Sequence, residues 1–163
     1  MLKNVLIPLD GSPLAQMAVD VAAQIADPGC EITLLTIVQP PDVPVTITTP
    51  MIIANTNYAV VEEAKQEARR YLENVSQKLL DHGFRVKMRV EMGDPARIIA
   101  QTAAALNVDM VIMTTHGRSG ISRWLYGSVT SRVLSLAPRP VLVVPNQSQQ
   151  EKYEREYAEL DLG

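Results

Sequence analysis

Residues 111–134 read VIMTTHGRSGISRWLYGSVTSRVL and contain two secondary-structure elements with a glycine-rich loop between them. The first residues form a short apolar run, as expected for a strand that is buried on both faces. Residues from Val129 onward have the apolar spacing of a helix. No acidic residue occurs between Met110 and Gln150. A loop without negative charge ahead of a helix suits an anion, because a helix N-terminus offers backbone N–H groups and a positive dipole end.

The rest of the chain repeats this order of strand, loop and helix. The predicted strands are short runs of mostly apolar residues, except for the third, which alternates apolar and charged residues. Two predicted helices follow capping residues, Ser12 with Pro13 at N1 and Asp94 with Pro95 at N1. The predicted strands span residues 5–9, 32–38, 86–92, 108–113 and 141–144. The other predicted helices span residues 58–82, with Gly83 as the stop, and residues 129–137.

This alternation predicts an α/β fold, a three-layer sandwich in which a five-stranded parallel sheet lies between two layers of helices. The strand order that we favour is 3-2-1-4-5, which makes strands 1 and 4 neighbours where the order reverses. Ligands of such sheets bind beyond the carboxyl ends of the strands at this point. The loops PLDGS, after strand 1, and TTHGRSG, after strand 4, are therefore expected to face each other.

The segment QPPDVPVTITTPMIIANTN, residues 39–57, is longer than an ordinary connection between a strand and a helix. It contains four prolines and several apolar residues. We interpret it as an ordered loop folded over the end of the sheet. The alternatives are a lid over the site and part of a subunit contact.

The composition is that of an ordinary globular protein, with 47% hydrophobic and 20% charged residues and a net charge of −3. This charge does not favour non-specific binding to nucleic acid. Residues 146–163 hold five acids and two bases, so the rest of the chain is neutral overall. We expect residues 1–146 to form the folded domain and residues 147–163 to form an acidic tail that can become helical.

The single cysteine, Cys30, cannot form an intrachain disulfide and fits a reducing compartment. The first residues read as a strand rather than as a signal peptide. No apolar run approaches the roughly 20 residues of a membrane helix. We therefore expect a cytoplasmic protein that makes no contact with a membrane.

The glycine-rich loop and the helix after it have features that a phosphate group needs. Gly127 would let a ligand approach the start of the helix, and Ser128 would add a hydroxyl donor. Gly117 and Gly120 permit a turn of backbone amides that can hold an anion. Three arginines raise the local potential: Arg118, Arg123 and Arg132. The alternative is that the glycines only make the turn and that the arginines are solvated.

The chain resembles the universal stress proteins of the nucleotide-binding kind, whose motif is G-x2-G-x9-G-[ST]. Gly117, nine further residues and the pair Gly127 and Ser128 match its last two parts, whereas Thr114 replaces the first glycine. Because Thr114 is β-branched, we expect its backbone to be extended rather than left-handed. The stretches VLIPLDGS, EMGDPARII and APRPVLVVP also resemble the family, so that the resemblance covers about residues 3–145.

The resemblance implies a Rossmann-like fold of the adenine nucleotide alpha hydrolase-like kind, a homodimer, and ATP, ADP, AMP or cyclic AMP as the ligand. It implies that Pro8, Asp10 and the backbone at Val38 line the adenine and ribose pocket. It also implies that Met113 and Thr114 pack near the sugar. The residues that it assigns to the phosphates are Gly117, Arg118, Gly127, Ser128 and Val129.

Asp10 has two further interpretations. It could hold a Mg²⁺ ion together with phosphates, because this ion needs only one or two carboxylates. Alternatively, the sequence Asp-Gly-Ser serves as a turn, in which the aspartate side chain accepts a backbone hydrogen bond.

The sequence offers little for catalysis. It has no G-x4-G-K-[ST] loop, and His116 with Ser119 does not match the G-x-S-x-G elbow. The expected function is therefore that of a nucleotide-binding stress-response or signalling protein that acts through a partner or a conformational change, with slow ATP hydrolysis at most. The alternative is a dimeric interaction module whose glycine loop is purely structural. In either case two copies of strand 5, residues 141–144, would pair as apolar edges of a homodimer.

Overall fold

The computed structural model describes residues 2–39, 50–115 and 127–145, with side chains for all of these except residues 50–57. The strands are β1 (Asn4–Pro8), β2 (Glu31–Val38), β3 (Arg85–Met92), β4 (Met110–Thr114) and β5 (Val141–Val144). The helices are α1 (Ala15–Ile25), α2 (Pro50–Asp81), α3 (Pro95–Ala105) and α4 (Ser128–Leu136). The predicted acidic tail, residues 147–163, lies outside the described residues.

These strands form a parallel sheet in the order β3-β2-β1-β4-β5, which confirms the predicted fold class and strand order. β1 lies at the centre, where Val5 is level with Ile32 of β2 on one side and with Met110 of β4 on the other. The strand order reverses between β1 and β4. Their carboxyl ends therefore flank the switch point where ligands of such sheets bind.

The two faces of the sheet carry separate apolar clusters, because successive strand residues point to opposite sides. Val5 and Ile7 of β1 belong to the cluster that includes α1 and α2, which we call the α1–α2 cluster. Leu6 of β1 belongs to the cluster that includes α3 and α4, which we call the α3–α4 cluster. Helices thus cover both faces, as predicted for a three-layer sandwich. No helix in the described ranges is both long and apolar enough to cross a membrane.

The start of α1 differs from the prediction in detail. The helix begins at Ala15, so the N1 position predicted for Pro13 is wrong. Ser12 nevertheless supplies a cap, since its hydroxyl and its carbonyl both accept a hydrogen bond from the Ala15 N–H, at 3.2 Å each. The Pro13 carbonyl accepts from the Gln16 N–H at 3.2 Å. The first turn is thus closed by bonds over three residues, which is common where a helix begins.

The largest departure from the prediction is the start of α2. The sequence predicted a loop over residues 39–57, but the helix begins at Pro50. The interpretation of residues 50–57 as part of a loop or lid is therefore wrong. Proline is suited to the first turn of a helix, where its missing N–H would have no partner within the helix. Residues 40–49 lie outside the described part of the chain.

Two other predicted boundaries are wrong by one or two residues. β4 begins at Met110 rather than at residue 108, because the Val108 N–H is donated to the Ala103 carbonyl near the end of α3, at 3.2 Å. α4 ends at Leu136 because Ala137 has extended backbone, which a residue before proline favours. The remaining predicted ends agree with the structure or differ by one residue.

The predicted stop of α2 and the predicted cap of α3 are confirmed. Gly83 has a φ of +81°, and the Phe84 N–H is donated to the Leu79 carbonyl at 3.1 Å, which closes the helix. Asp94 accepts a hydrogen bond from the Arg97 N–H at 3.0 Å and so caps α3, with Pro95 as the first helical residue. Both signals were readable because they depend on neighbours in the sequence.

Asp109 joins the amino ends of β1 and β4. Its Oδ2 atom accepts hydrogen bonds from the N–H groups of Lys3 and Asn4, at 2.7 and 2.9 Å. Its own N–H is donated to the Asn4 carbonyl at 2.8 Å. The hydrogen bonds from Lys3 and Asn4 hold the pKa of Asp109 below its ordinary value.

We expect Asp109→Asn to lower the melting temperature at neutral pH, and we expect this difference from wild type to shrink in acid. The folded pKa lies below the unfolded value of about 3.9. The carboxylate therefore stabilises the fold above that value, and this contribution is lost as the pH falls through the folded pKa. Thermal unfolding followed by circular dichroism at a series of pH values measures the effect. Asp20→Asn, at an exposed position of α1, is the control, and a pH-independent loss in Asp109→Asn would contradict the prediction.

Candidate functional site

A cavity of about 610 Å³ lies at the carboxyl ends of β1, β2 and β4. Its volume is within the range of roughly 300–1,000 Å³ that is usual for small-molecule sites. The strands, the starts of α3 and α4 and one residue of α1 contribute to its wall. The lining residues are Pro8, Leu9, Asp10, Ala15, Thr36, Ile37, Gln39, Pro95, Ile99, Met113, Thr114, Gly127, Ser128, Val129 and Thr130.

Asp10 lies directly after β1 and is exposed at the cavity. Its Oδ1 atom accepts a hydrogen bond from the Ser12 N–H at 3.0 Å, which forms the expected aspartate turn. Gly11 between them has a φ of +82°, a conformation that other residues rarely adopt. The turn thus fixes the carboxylate at the switch point, so that its structural role and a ligand role are compatible.

The start of α4 forms the opposite wall of the cavity. Gly127, Ser128 and Val129 line the cavity, and Gly127 provides no side chain to cap the helix. The first N–H groups of any helix have no partner within that helix. A helix that begins at a glycine can therefore present its backbone N–H groups and its positive dipole end to an anion.

Gly127 has a φ of −60° and a ψ of 162°, an extended conformation that any residue can adopt. The glycine is therefore not required by the local backbone. What it supplies is close access to the first turn of α4, because a Cβ atom is missing there.

Thr114, which replaces a family glycine, is the last residue of β4 and pairs with Val144 of β5. Its backbone is extended, as predicted, so the β-branched side chain is not strained. Its carbonyl accepts a hydrogen bond from the Thr130 hydroxyl at 3.5 Å. This contact links the end of β4 to the first turn of α4 across the floor of the cavity.

Arg132 does not act as we expected. Its guanidinium donates to both carboxylate oxygens of Asp94, at 2.7 and 3.1 Å. This interaction, followed by the hydrogen bond from the Arg97 N–H, lowers the pKa of Asp94. The expectation that Arg132 raises the potential of the cavity is therefore wrong, because Asp94 compensates its charge.

The structure brings most of the predicted site residues together. The predicted residues that line the cavity are Pro8, Asp10, Met113, Thr114, Gly127, Ser128 and Val129. Val38 lies at the end of β2, between the lining residues Ile37 and Gln39, and its carbonyl accepts from the Gly93 N–H at 3.2 Å. Gly117 and Arg118 lie outside the described residues.

Sequence reasoning missed the contribution of Thr36, Pro95 and Ile99 to the cavity wall. Pro95 and Ile99 belong to α3, which follows β3 and therefore also begins at the carboxyl edge of the sheet. The cap signal at Asp94 placed the start of this helix, and the sheet topology would have brought it to the site. Thr36 gave no such signal, since it lies within an otherwise apolar strand.

The described residues contain no group of three or more histidine, cysteine, aspartate or glutamate side chains that could hold a metal ion. Asp10 is the acidic residue among those that line the cavity. Mg²⁺ is often bound through one or two carboxylates together with phosphate oxygens. The interpretation of Asp10 as a magnesium ligand therefore remains a prediction that depends on a phosphorylated ligand.

The family model of the universal stress protein family matches residues 1–145. The chain belongs to this family. The match covers each strand and helix of the sheet described above.

Three proteins illustrate the similarity. Universal stress protein MJ0577 of Methanocaldococcus jannaschii is 37% identical over 83 residues, which are 51% of either chain. Its solved structure superposes with a TM-score of 0.77 and 28% identity, covering 90% of this chain and 98% of that chain.

The other two structures were solved with bound nucleotides. A universal stress protein in complex with cAMP has a TM-score of 0.58 and 22% identity, covering 88% of this chain and 97% of that one. A family protein from Arabidopsis thaliana with AMP bound has a TM-score of 0.61 and 15% identity, covering 90% and 94% of the two chains. At these identities the likeness establishes a shared fold.

Tyr71 of α2 is affected by the charge of Asp10. Burial raises the pKa of the Tyr71 phenol above its ordinary value, and the negative charge of Asp10 raises it further. The hydroxyl oxygen is buried and has no hydrogen-bond partner within the described part of the chain.

We expect Asp10→Asn to lower the pKa of Tyr71 but to leave it above its ordinary value, because burial is the larger cause of the shift. Removing the negative charge makes the phenolate easier to form. Carbon NMR of ring-labelled tyrosine measures the titration, and Tyr71→Phe identifies the resonance. Asp81→Asn, which changes an exposed aspartate of the same helix, is the control. An unchanged titration in Asp10→Asn would mean that the two side chains do not interact.

Proposed function

We propose that the chain binds an adenine nucleotide, ATP, ADP, AMP or cyclic AMP, in the cavity between β1 and α4. In this proposal the protein is a stress-response or signalling protein that acts through a partner or a conformational change that depends on the ligand. The observation that carries the proposal is the pairing of opposite chemistries across one cavity. The Asp10 carboxylate lies at one wall, and the glycine-initiated N-terminus of α4 lies at the other.

The chemistry of the two walls matches the two polar parts of a nucleotide. A carboxylate accepts hydrogen bonds from sugar hydroxyls, whereas backbone N–H groups at a helix N-terminus bind phosphate. The wall between them is largely apolar, with Met113, Ile37 and Ile99 available to contact an adenine ring. The fold is compatible with such a ligand, because structures that share it hold cAMP in one protein and AMP in another.

Residues 116–126 would complete the phosphate site under this proposal. The family resemblance assigns Gly117 and Arg118 to the phosphates, and both belong to this segment. Asp10 would hold Mg²⁺ only together with phosphate oxygens, so that the ion should bind with ATP rather than alone.

We expect bound ATP to be held rather than rapidly consumed. Phosphoryl-transfer enzymes of the P-loop class use a lysine that reaches the transferred phosphate, and the sequence lacks that motif. Mass analysis of the ligand released from the purified protein, together with calorimetry, tests the proposal. The competing function is a dimeric interaction module with a purely structural loop, and the absence of binding by a well-folded wild type would favour it.

We expect Gly127→Val to weaken the binding of ATP and AMP by at least about tenfold, roughly 1.4 kcal/mol. The new side chain would occupy the space through which phosphates approach the first turn of α4. The fold should persist, because the backbone of Gly127 is in a region that valine favours. Calorimetry with both nucleotides measures the affinities.

Ala137→Val is the matched control for this experiment. It places the same side chain on extended backbone at the other end of α4 and should leave affinity unchanged. Thr114→Gly restores the family residue and should retain binding, with any change confined to the preference for sugar or phosphate number. Equal affinities of wild type and Gly127→Val would leave the structural interpretation of the loop standing.

The acidic tail should be dispensable for nucleotide binding. Residues 146–163 have a balance of −3, and their charge would repel phosphate rather than attract it. Calorimetry on a chain that ends at Gln147 should give the affinity of the full chain. Loss of binding on truncation would show that the tail belongs to the site.

We further propose a homodimer formed through β5. The two edges of the sheet differ, because β3 carries exposed charges at Arg85, Lys87 and Arg89 whereas Val141–Val144 carries none. Charged side chains discourage pairing with another chain, and an uncharged apolar edge invites it. Two copies of β5 could pair across a twofold axis and so satisfy their outer backbone groups.

Sedimentation should therefore give a dimer at micromolar concentration, and Val143→Lys should shift it towards the monomer. Val143 belongs to neither apolar cluster, so that the substitution should disturb the edge more than the core. Val60→Lys, at an exposed position of α2, should leave the dimer intact. A wild-type monomer at this concentration would exclude the proposed interface.

A further inference from the structure

The buried hydroxyl of Tyr71 has no evident role in the packing of α2. The ring packs against the α1–α2 cluster, but the hydroxyl oxygen has no hydrogen-bond partner among the described residues. A buried tyrosine hydroxyl usually finds a partner, because leaving it unsatisfied destabilises the fold. Such a group calls for an explanation in terms of a ligand or of an altered state of the site.

The course of α2 brings Tyr71 to the level of the cavity. The helix ends beside the start of β2, where the Arg85 N–H is donated to the Cys30 carbonyl and the α2 residue Leu79 is buried. Going back along the helix from Leu79 to Tyr71 covers about 12 Å at 1.5 Å per residue. The same length of β2 spans about four residues, so that counting from Glu31, the first residue of β2, Tyr71 lies near the level of Leu35, one residue before Thr36. Thr36 lines the cavity.

Asp10 lies near this level, in the connection that follows β1, the strand next to β2. The Leu9 N–H is donated to the Leu35 carbonyl at 2.8 Å, so that Asp10 follows one residue beyond the end of the β1 and β2 pairing. Independently of this register, the charge of Asp10 acts on Tyr71. The register and this effect of charge agree in placing both the carboxylate and the phenol towards the carboxyl edge of the sheet.

Thr36 marks the wall between α2 and the cavity. It alternates with Ile32 and Leu34, which face the α1–α2 cluster, and it is 9% exposed. Its hydroxyl oxygen is also buried without a hydrogen-bond partner in the described ranges. Two unsatisfied hydroxyls, those of Thr36 and Tyr71, thus lie on the side of the sheet that α2 covers.

We propose that Tyr71 is a positioning residue for Asp10, whose carboxylate accepts a hydrogen bond from the Tyr71 hydroxyl when the sugar of a nucleotide covers it. This inference rests on the proposed nucleotide site. Tyr71 is not among the residues that line the cavity, and it therefore acts through Asp10 rather than on the ligand.

A carboxylate can accept about four hydrogen bonds. Asp10 can therefore accept one from Tyr71 in addition to those from the Ser12 N–H and from a ligand. A sugar that covers Asp10 also excludes water, which strengthens the remaining hydrogen bonds to the carboxylate. The carboxylate is then held in one orientation towards the sugar hydroxyls. Affinity for a ribonucleotide increases because less orientational freedom is lost on binding.

The test compares ATP with 2′,3′-dideoxy-ATP, which lacks the sugar hydroxyls, on wild type, Tyr71→Phe, Asp10→Asn and the double variant. Tyr71→Phe should weaken the binding of ATP by about tenfold, as for loss of one hydrogen bond to a charged group. It should leave the affinity for 2′,3′-dideoxy-ATP unchanged. In the Asp10→Asn background Tyr71→Phe should weaken the binding of ATP by less than about threefold, instead of about tenfold. The difference between the two backgrounds measures the coupling of the two residues. Tyr58→Phe, which changes an exposed tyrosine of the same helix, is the control.

The outcomes separate this inference from the proposed function. Equal weakening of both nucleotides, or an undiminished effect of Tyr71→Phe in the Asp10→Asn background, would mean that Tyr71 supports the fold of the pocket only. Unchanged binding of ATP to Tyr71→Phe would also overturn the positioning role, while leaving the nucleotide site in place. Failure of wild type to bind either nucleotide would overturn the site and the inference together. Melting temperatures of all variants show whether a loss of affinity follows from unfolding.

Discussion

The parallel pairing of β1 with β2 on one side and with β4 on the other is the constraint on which the cavity depends. A parallel strand can reach its neighbour only through a crossover, and crossovers are right-handed, so α1 and α2 cover one face of the sheet and α3 and α4 cover the other. β2 and β3 lie on one side of β1, whereas β4 and β5 lie on its other side. The connection after β1 therefore leads to a helix on one face of the sheet, and the connection after β4 leads to a helix on the opposite face. The gap between those connections is the cavity. Its position follows from hydrogen bonds and connectivity rather than from the residues that line it.

Two of the helices that begin at this edge, α3 and α4, differ in how their N-termini are capped. Asp94 caps α3 and also pairs with Arg132, so that both the helix end and the arginine are compensated within the protein. The N-cap position of α4 is Gly127, which has no side chain to cap the helix. The positive end of α4 is therefore the one that a ligand can use. The salt bridge is exposed, and its contribution to stability is small, but it keeps the negative charge of Asp94 paired beside the proposed phosphate site.

The sequence was sufficient for the alternation of strands and helices, because four predicted strands are mostly apolar, the third alternates apolar and charged residues, and several connections have helix caps or glycines that depend on local chemistry. Asp94 and Gly83 were readable for this reason. The start of α2 was not, since apolar residues after Pro50 fit a loop over the sheet as well as they fit a helix. The wall residues Thr36 and Ile99 were also missed, because register and helix crossing bring them to the cavity. The partner of Arg132 lies 38 residues away in the sequence, so that its compensation was invisible to an argument from local charge.

The comparison of Thr33 with Thr36 shows why an unsatisfied buried hydroxyl is not by itself a sign of a site. Both threonines lie on β2, both are buried, and neither hydroxyl has a hydrogen-bond partner in the described part of the chain. Thr33 lies in the first half of the strand, opposite Leu6 of β1 and Lys87 of β3, away from the cavity. A threonine fits a strand there through its shape, since β-branched residues pack well in sheets. Thr36 differs in lying at the carboxyl edge, within the cavity wall and at the level of Asp10 and Tyr71. The hydroxyls of Thr36 and Tyr71 are therefore assigned to the site because of their position at the carboxyl edge of the sheet, and not because they lack a hydrogen bond.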